Sequence, residues 1–372
     1  MTDPVNITIP DDLRPHDGRF GCGPSKVRLE ALQALADTGS TLLGTSHRQP
    51  PVKGQVERLR SGLADLFALP EGYEVLLANG GATAFWDMAT YGLVRHRSRH
   101  YVFGEFSSKF AKATTAAPFL GEPDVVESAP GSRPTTVAGG DVDVQALTHN
   151  ETSTGVMTDI RRPDDSAIVL VDATSGAGGL DVDLQQCDVY YFSLQKGFAS
   201  EGGLVVAIVS PAAVDRMQEL AGGDRYIPAF FDLPTVLDNS RKNQTYNTPA
   251  IATILLAAHQ VDGMNADGGL QAMAAASAKK AAHLYGWADS RSWATPFVTD
   301  VDARSHVVAT IDIDGVDADD VNAALRANGI LDTDAYRKLG RNQLRIGMFP
   351  AVDLEDLQAF TACVDHVVEQ LA

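Results

Sequence analysis

Three short apolar runs in the middle of the chain constrain its fold more than any other feature. They span residues 167–172, 189–193 and 204–209, and glycine or polar residues bound each of them. Runs that are apolar at nearly every position are typical of strands buried on both faces of a mainly parallel sheet. Parallel strands need crossover connections, usually helices, so the sequence predicts an α/β domain.

The same alternation of strands and helices continues towards the N-terminus. The pattern predicts strands at 73–78 and 101–103 and helices at 84–95 and about 107–115. Residues 122–143 are rich in Pro, Gly, Asp and Ser, which favours an irregular surface connection.

The C-terminal hundred residues have a different pattern. They predict strands at 306–313 and 343–349, a helix at 318–327, and a last helix from Leu354 with one apolar face. This combination suggests a smaller α+β domain. Glycines punctuate the chain between 262 and 272, where we place the boundary. The predicted division is an N-terminal segment packing on the small domain (1–21), a large cofactor-binding domain (22–265) and a small C-terminal domain (266–372).

The charge balance limits the possible partners. The chain has 30 basic and 48 acidic residues in 372, a formal net charge of -18. This disfavours nucleic acid or an anionic membrane as the main partner, because both require basic surface. An anionic substrate would therefore need a local cluster of positive groups.

The cysteines and the N-terminus bear on location and metal binding. The chain has three cysteines, Cys22, Cys187 and Cys363, which are far apart in sequence. An odd number of distant cysteines favours a reducing compartment over a disulfide framework. Their spacing also does not match that of metal ligands. The first residues lack the basic and apolar regions of a secretory signal. No apolar run approaches the roughly 20 residues that span a bilayer. We expect a cytoplasmic protein with no metal site.

Three features could carry chemistry, and each also has a structural explanation. Residues 79–83 (NGGAT) connect a predicted strand to a helix, so they suit an anion at the helix N-terminus or a plain tight turn. Asp172 ends an apolar strand, where it could meet a ligand or cap the next element. Lys196 follows the next strand and could be a Schiff-base lysine or a surface lysine whose stem packs on apolar groups.

Together these three features suit pyridoxal 5'-phosphate (PLP). A strand-end carboxylate can keep the pyridine nitrogen protonated, so that the ring acts as an electron sink. A lysine can hold the aldehyde carbon as a Schiff base and later move the substrate's α-proton. A glycine-rich loop can hold the 5'-phosphate.

Longer motifs make this interpretation specific. The chain resembles the class V, fold-type I aminotransferases, and within them the phosphoserine aminotransferase family of the actinobacterial type. The resemblance implies a fold-type I PLP transferase with a mainly parallel central sheet and a small C-terminal α+β domain. The matching segments are collinear and cover nearly the whole chain: 20–26 (FGCGPSK), 44–48 (GTSHR), 79–83 (NGGAT), 149–155 (HNETSTG), 171–176 (VDATSG), 195–196 (QK), 243–249 (NQTYNTP) and 339–349 (LGRNQLRIGMF).

The resemblance also implies a role for individual residues. Lys196 would form the Schiff base with PLP, and Asp172 would pair with the ring nitrogen. Phe106 would stack on the ring, although many relatives have tryptophan there, and Thr152 would hydrogen-bond the ring side. The predicted phosphate ligands are Ala82, Thr83 and Gln195, joined by Asn247 and Thr248 acting on the other subunit of a homodimer.

Basic residues are expected to bind the substrates. The resemblance implies that Arg345 grips the α-carboxylate, a geometry that suits a guanidinium. His47 and Arg48 would meet the distal anion, together with Arg341. We predict that Arg337 and Lys338 are solvated surface charges.

The predicted reaction is a ping-pong transamination in serine biosynthesis. Glutamate would give its amino group to 3-phosphohydroxypyruvate, yielding 2-oxoglutarate and O-phospho-L-serine. One alternative is another fold-type I reaction, such as serine–glyoxylate transamination or cysteine desulfuration. A desulfurase needs a mobile nucleophilic cysteine, and we expect the three cysteines to lie in an apolar helix or at apolar element edges. Another alternative is a PLP-binding regulatory protein, which would leave the substrate arginines without a role.

Overall fold

The computed structural model describes residues 3–372, which contain a large mixed sheet, two smaller sheets and the helices around them. The strands are β1 (Glu74–Asn79), β2 (Ser98–Val102), β3 (Asp124–Glu127), β4 (Val144–Thr148), β5 (Asn150–Glu151), β6 (Val156–Met157), β7 (Ile168–Asp172), β8 (Val189–Ser193), β9 (Leu204–Val209), β10 (Ala294–Pro296), β11 (Val308–Ile313) and β12 (Gln343–Gly347). The α-helices are α1 (Leu29–Asp37), α2 (Pro50–Leu66), α3 (Ala82–Gly92), α4 (Glu105–Thr115), α5 (Pro211–Ala221), α6 (Leu233–Arg241), α7 (Ile251–Ala266), α8 (Gly269–Asp289), α9 (Ala318–Ala327) and α10 (Leu354–Leu371).

The large sheet has seven strands in the order β1-β9-β8-β7-β4-β2-β3. Strands β8, β7, β4, β2 and β3 pair in parallel, whereas β9 runs antiparallel to both of its neighbours, β1 and β8. Six strands therefore point the same way and only β9 is reversed. This confirms the predicted α/β class with a mainly parallel central sheet.

One strand direction was not predicted, and one local expectation was wrong. The run at 204–209 is a strand, but it is antiparallel to β8, because residues 194–203 are too few for the crossover of about a dozen residues that a parallel neighbour needs. The stretch 122–143 is not wholly irregular, since β3 adds to the sheet edge within it. Only alternate residues of β3 are half-buried, so its sequence lacks a continuous apolar run.

Helices cover both faces of the sheet, as its apolar strands require. Consecutive residues of a strand enter opposite cores: Val169 and Val171 pack with α2 and α7, whereas Ile168 and Leu170 pack with α3, α5 and α6. This arrangement explains why every position of β7 is apolar up to Asp172.

A third core lies around the antiparallel sheet β10-β11-β12. Helices α8, α9 and α10 pack on this sheet, and Ile7, Ile9 and Phe20 from the N-terminal segment enter the same core. The division of the chain into 1–21, 22–265 and 266–372 stays a prediction. Among the helices of residues 3–372, none has the length and apolar character to cross a membrane.

Candidate active site

A cavity of about 330 Å³ lies where the parallel strands of the large sheet end. The ends of β1, β2, β4, β7 and β8, or the residues after them, line it, and Gly203 precedes β9 at the same edge. Ligands bind at this edge in open α/β sheets, because strand ends and helix N-termini meet there. The cavity is therefore the candidate active site.

Lys196 lies in the wall of the cavity, just after β8. Its side chain is buried, and its Nζ donates a hydrogen bond to Thr152 Oγ1 at 2.8 Å. The same nitrogen lies 5.2 Å from the centre of the Phe106 ring. Burial lowers the pKa of Lys196 to about 8, although the nearby Asp172 carboxylate acts in the opposite direction. About a tenth of this amine is therefore neutral, and hence nucleophilic, at pH 7, far more than for an exposed lysine.

Asp172 is held at the end of β7 by three donors. Its Oδ2 accepts hydrogen bonds from Trp86 Nε1 and Tyr191 OH, both at 3.2 Å, and its Oδ1 accepts from the Thr174 amide at 2.9 Å. These contacts fix the carboxylate at the base of the cavity. The sequence reasoning missed Trp86 and Tyr191, because they lie within apolar runs where an aromatic residue looks like ordinary core.

The NGGAT segment forms the tight entry into α3. Gly80 has a φ of +116°, which favours glycine, and a methyl group there would lie 2.6 Å from Ala84 Cβ. Helix α3 begins at Ala82, earlier than predicted, so its first amides border the cavity. The Ala82 amide donates to Ser193 Oγ at 2.7 Å, and Thr83 is exposed. A helix start of this kind suits a phosphate group.

Arg345 reaches the cavity from β12. Its Nη1 donates to the Thr152 carbonyl at 3.4 Å, and its guanidinium lies 5.3 Å from the centre of the Tyr336 ring. Tyr336 also lies 6.1 Å from Phe106, ring centre to ring centre. The sequence reasoning missed Tyr336, since a lone aromatic in a charged stretch gives no periodic signal.

The N-terminal motif FGCGPSK also borders the cavity, although it was given no role. Cys22 and Gly23 line the wall, and a methyl group at Gly23 would overlap Cε of Lys196. Ser25 Oγ donates to the Lys196 carbonyl at 2.8 Å. The segment therefore packs closely against the lysine side chain and binds the backbone of the same residue.

The cavity wall contains polar atoms that lack a protein partner. Nine such buried side-chain atoms occur within residues 3–372, and four belong to residues that line this cavity. Buried polar groups are usually hydrogen-bonded, so this concentration indicates a polar ligand. The four atoms are Asn150 Oδ1, Thr174 Oγ1, Gln195 Oε1 and Arg345 Nε.

Four predicted residues lie together outside the cavity of their own chain. His47 Nδ1 is 3.4 Å from Thr248 Oγ1, while Asn79 Nδ2 donates to the Thr248 carbonyl at 2.9 Å. Asn247 and Arg48 are exposed beside them. We call His47, Arg48, Asn247 and Thr248 the surface cluster. None of the four lines the cavity of its own chain.

Arg341 is not a cavity residue either. Its guanidinium binds both carboxylate oxygens of Asp312, with 2.9 Å from Nε to Oδ1, and lies 4.7 Å from the centre of the Phe297 ring. Asp312 lies on β11 beside the strand that Arg341 precedes, and this pairing could not be read from the sequence. This pairing gives Arg341 a structural contact, and its expected role with the substrate stays a prediction.

Comparison with known proteins supplies independent information. The family model for class-V aminotransferases matches residues 133–335. A phosphoserine aminotransferase of Nocardioides is 61% identical, with all of both chains covered. Among solved structures, a phosphoserine aminotransferase from Cytophaga hutchinsonii superposes with a TM-score of 0.87 at 24% identity, covering 96% of this chain and 100% of the other. A PLP-bound phosphoserine aminotransferase from Trichomonas vaginalis gives 0.80 at 19%, covering 94% and 100%. At these identities the structures support the fold alone.

Proposed function

The chain belongs to the class-V aminotransferases, in the phosphoserine aminotransferase family, and from this premise we propose that it transfers an amino group from glutamate to 3-phosphohydroxypyruvate. The products are 2-oxoglutarate and O-phospho-L-serine. The observation that carries the proposal is a single cavity lined by Lys196, whose amine can lose its proton, by the carboxylate of Asp172 and by the guanidinium of Arg345. The cytoplasmic location expected from the sequence stays a proposal.

The residues of the cavity fit PLP, which when bound would serve as a sink for the electrons left at the substrate Cα. Lys196 would hold the aldehyde, and Asp172 would hold the protonated ring nitrogen. Phe106 would cover one ring face, and Thr152 would bind the ring side. The start of α3, at Ala82 and Thr83, and Gln195 would bind the phosphate. The unpartnered polar atoms in the wall support this fit.

Lys196 also suits the proton transfer that transamination requires. Its pKa of about 8 lies close to physiological pH, where a general base works best. With PLP bound, the Lys196 amine would be the group that takes the proton from the substrate Cα. Thr152 Oγ1, at 2.8 Å, keeps the amine pointed into the cavity.

Arg345 is the proposed partner of the α-carboxylate. Its Nε is buried without a partner and lines the cavity, so a carboxylate could complete its hydrogen bonding. A guanidinium binds a carboxylate through two parallel hydrogen bonds. In a chain of charge -18 this local positive group is also what attracts an anionic substrate.

The distal anion needs further positive charge, which we propose comes from a second subunit. The surface cluster contains Arg48, and His47 Nε2 is buried there without a partner. Leu43 and Tyr246, in the same two segments, expose apolar side chains. These features support a homodimer in which each surface cluster completes the partner's cavity.

A half-reaction panel tests the function. The PLP form is mixed separately with glutamate, O-phosphoserine, serine and alanine, and conversion to the pyridoxamine form is followed by absorbance. We expect rapid conversion with glutamate and phosphoserine and at least about 100-fold slower conversion with serine and alanine, because the last two leave the distal site unfilled. Equal rates with serine or alanine would overturn the assignment.

A hybrid dimer tests the shared site. Arg48→Ala and Lys196→Ala chains with different tags are co-expressed, and the hybrid is purified through both tags. If Arg48 serves the partner's cavity, one of the two sites is intact and the hybrid has about half the wild-type activity. If Arg48 serves its own chain, the hybrid is inactive. The matched control is a hybrid of a Lys196→Ala chain with a wild-type chain. It should have about half the wild-type activity whichever cavity Arg48 serves.

A further inference from the structure

Glu151 is a completely buried carboxylate beside the cavity, and the mechanism above does not use it. Its relative exposure is 0%, in the segment between Asn150 and Thr152, which both line the cavity. Burial of a carboxylate is costly unless donors surround it. Its hydrogen-bond partners therefore indicate what it is for.

The donors come mainly from the start of helix α4. The amides of Phe106 and Ser107 donate to Oε2 at 3.1 and 2.9 Å, and Ser107 Oγ donates to it at 3.0 Å. Ser153 Oγ donates to Oε1 at 2.7 Å. Glu151 thus caps α4 from a segment more than forty residues away in sequence. A negative charge at a helix N-terminus is favourable, because the free amides and the helix dipole both point at it.

The chain leaves room for this carboxylate at Gly104, the residue that precedes α4. A methyl group at Gly104 would overlap Cγ of Glu151 and would lie 2.6 Å from Ser153 Oγ. The backbone of Gly104 is extended, with a φ of 176°, so its conformation does not require glycine. Close approach of the carboxylate is the reason for glycine here.

The cap joins two walls of the cavity. Phe106, whose amide binds the carboxylate, has its ring centre 5.2 Å from Lys196 Nζ. Thr152, next to Glu151 in the chain, accepts the hydrogen bond from Lys196. Displacement of the carboxylate would therefore change the position of the Phe106 ring relative to the Lys196 amine.

We propose that Glu151 is a positioning residue that fixes the Phe106 ring in the cavity wall, where the ring would cover the cofactor. It acts through the N-terminus of α4 and touches neither cofactor nor substrate. The inference rests on the proposed function in one respect, that the cavity binds PLP through Phe106.

The test measures PLP binding to the cofactor-free enzyme by absorbance titration, with Glu151→Gln as the main variant. Glutamine keeps the size of the side chain, but its NH2 group cannot accept hydrogen bonds. The donors that bind one of the two carboxylate oxygens therefore lose their acceptor. We expect about tenfold weaker PLP binding, with circular dichroism and melting of the apo form showing a folded chain. Glu127→Gln, at an exposed glutamate on β3, is the matched control and should bind as wild type does.

A double-mutant cycle separates positioning from a general structural effect. If Glu151 acts through Phe106, Glu151→Gln should weaken PLP binding less than about twofold in a Phe106→Leu background. A full tenfold loss in that background, or no loss in the single variant, would overturn the inference. Failure of the wild-type enzyme to bind PLP would instead refute the proposed function.

Ser107→Ala is a second, milder variant in case Glu151→Gln does not fold. It removes one of the donors to the carboxylate and keeps the charge. We expect two- to threefold weaker PLP binding, and this loss should disappear in the Phe106→Leu background. Unchanged binding of PLP by Ser107→Ala would count against the proposal.

Discussion

Two buried lysines, Lys196 and Lys280, are similar in exposure and in the direction of their pKa shift but differ in the groups that surround them. Lys196 and Lys280 are 7% and 3% exposed, and burial lowers the pKa of the first to about 8 and of the second to about 7. Lys280 Nζ donates to the carbonyls of Phe349 and Val352 at 2.6 and 3.0 Å. Lys196 Nζ has one hydrogen bond and faces an open cavity.

The difference shows what separates a reactive group from a structural one. Lys280 ties the end of the β12 segment to α8, and its amine is held by carbonyls that need a donor. Lys196 lies among side chains whose own hydrogen bonding is incomplete, such as Gln195 and Arg345. Burial and a lowered pKa are common to both lysines, so these two properties do not by themselves identify a functional lysine. A cavity wall with unpartnered polar atoms is a more specific indication.

The largest effect is expected at Lys196. Lys196→Ala removes both the covalent attachment of the cofactor and the general base, so kcat should fall roughly 10³-fold or more. Lys280→Met should leave kcat within about twofold at pH 8. Borohydride reduction of the wild-type holoenzyme followed by peptide mapping should label Lys196 alone. Label on Lys280 would break the distinction between the two lysines.

Arg345 and Arg341 extend the same distinction to two arginines. Arg345→Ala should cost about 2–5 kcal/mol of transition-state binding, because it leaves a substrate carboxylate unpaired. This corresponds to roughly 30- to several-thousand-fold in kcat/KM. Arg341→Ala removes the ion pair with Asp312 and the contact with the Phe297 ring. If these structural contacts are its role, kcat/KM should change less than about threefold. Equal losses in the two variants would show that the cavity wall does not define the substrate site.

The sequence could predict the sheet, because buried strands need continuous apolar runs and these were read almost to the residue at β7, β8 and β9. It could also predict that Lys196 and Asp172 lie near each other, since they stand at the ends of neighbouring parallel strands, which meet at one edge of the sheet. It could not predict the pairing of Arg341 with Asp312 or the burial of Lys280, because the segment Lys279-Lys280 has the composition of a solvated helix face. Such contacts depend on how distant elements pack, which local patterns do not encode.

Lys280 has a smaller effect, which appears in stability and depends on pH. Its pKa is lowered from 10.5 in an exposed state to about 7 in the folded chain. Between these values the unfolded chain binds a proton that the folded chain lacks, so this lysine makes stability rise with pH, by at most about 1.4 kcal/mol per pH unit. Lys280→Met should reduce the slope of the unfolding free energy between pH 7 and 9, measured by urea denaturation. An unchanged slope would mean that Lys280 is not titrating there.

An exposed lysine, Lys338, should give the smallest effect on activity and extends the comparison beyond buried lysines. Lys338 is exposed, and its Nζ binds the carboxylate of Glu105, which raises the pKa of Lys338. The pair joins the segment of Tyr336 to the start of α4, close to the cavity mouth. Because exposed ion pairs contribute little and salt screens them, Lys338→Met should change kcat/KM less than about threefold, and less still at high salt. A large loss that persists in high salt would give Lys338 a direct role with the substrate and would show that an exposed lysine can belong to the site without lining the cavity.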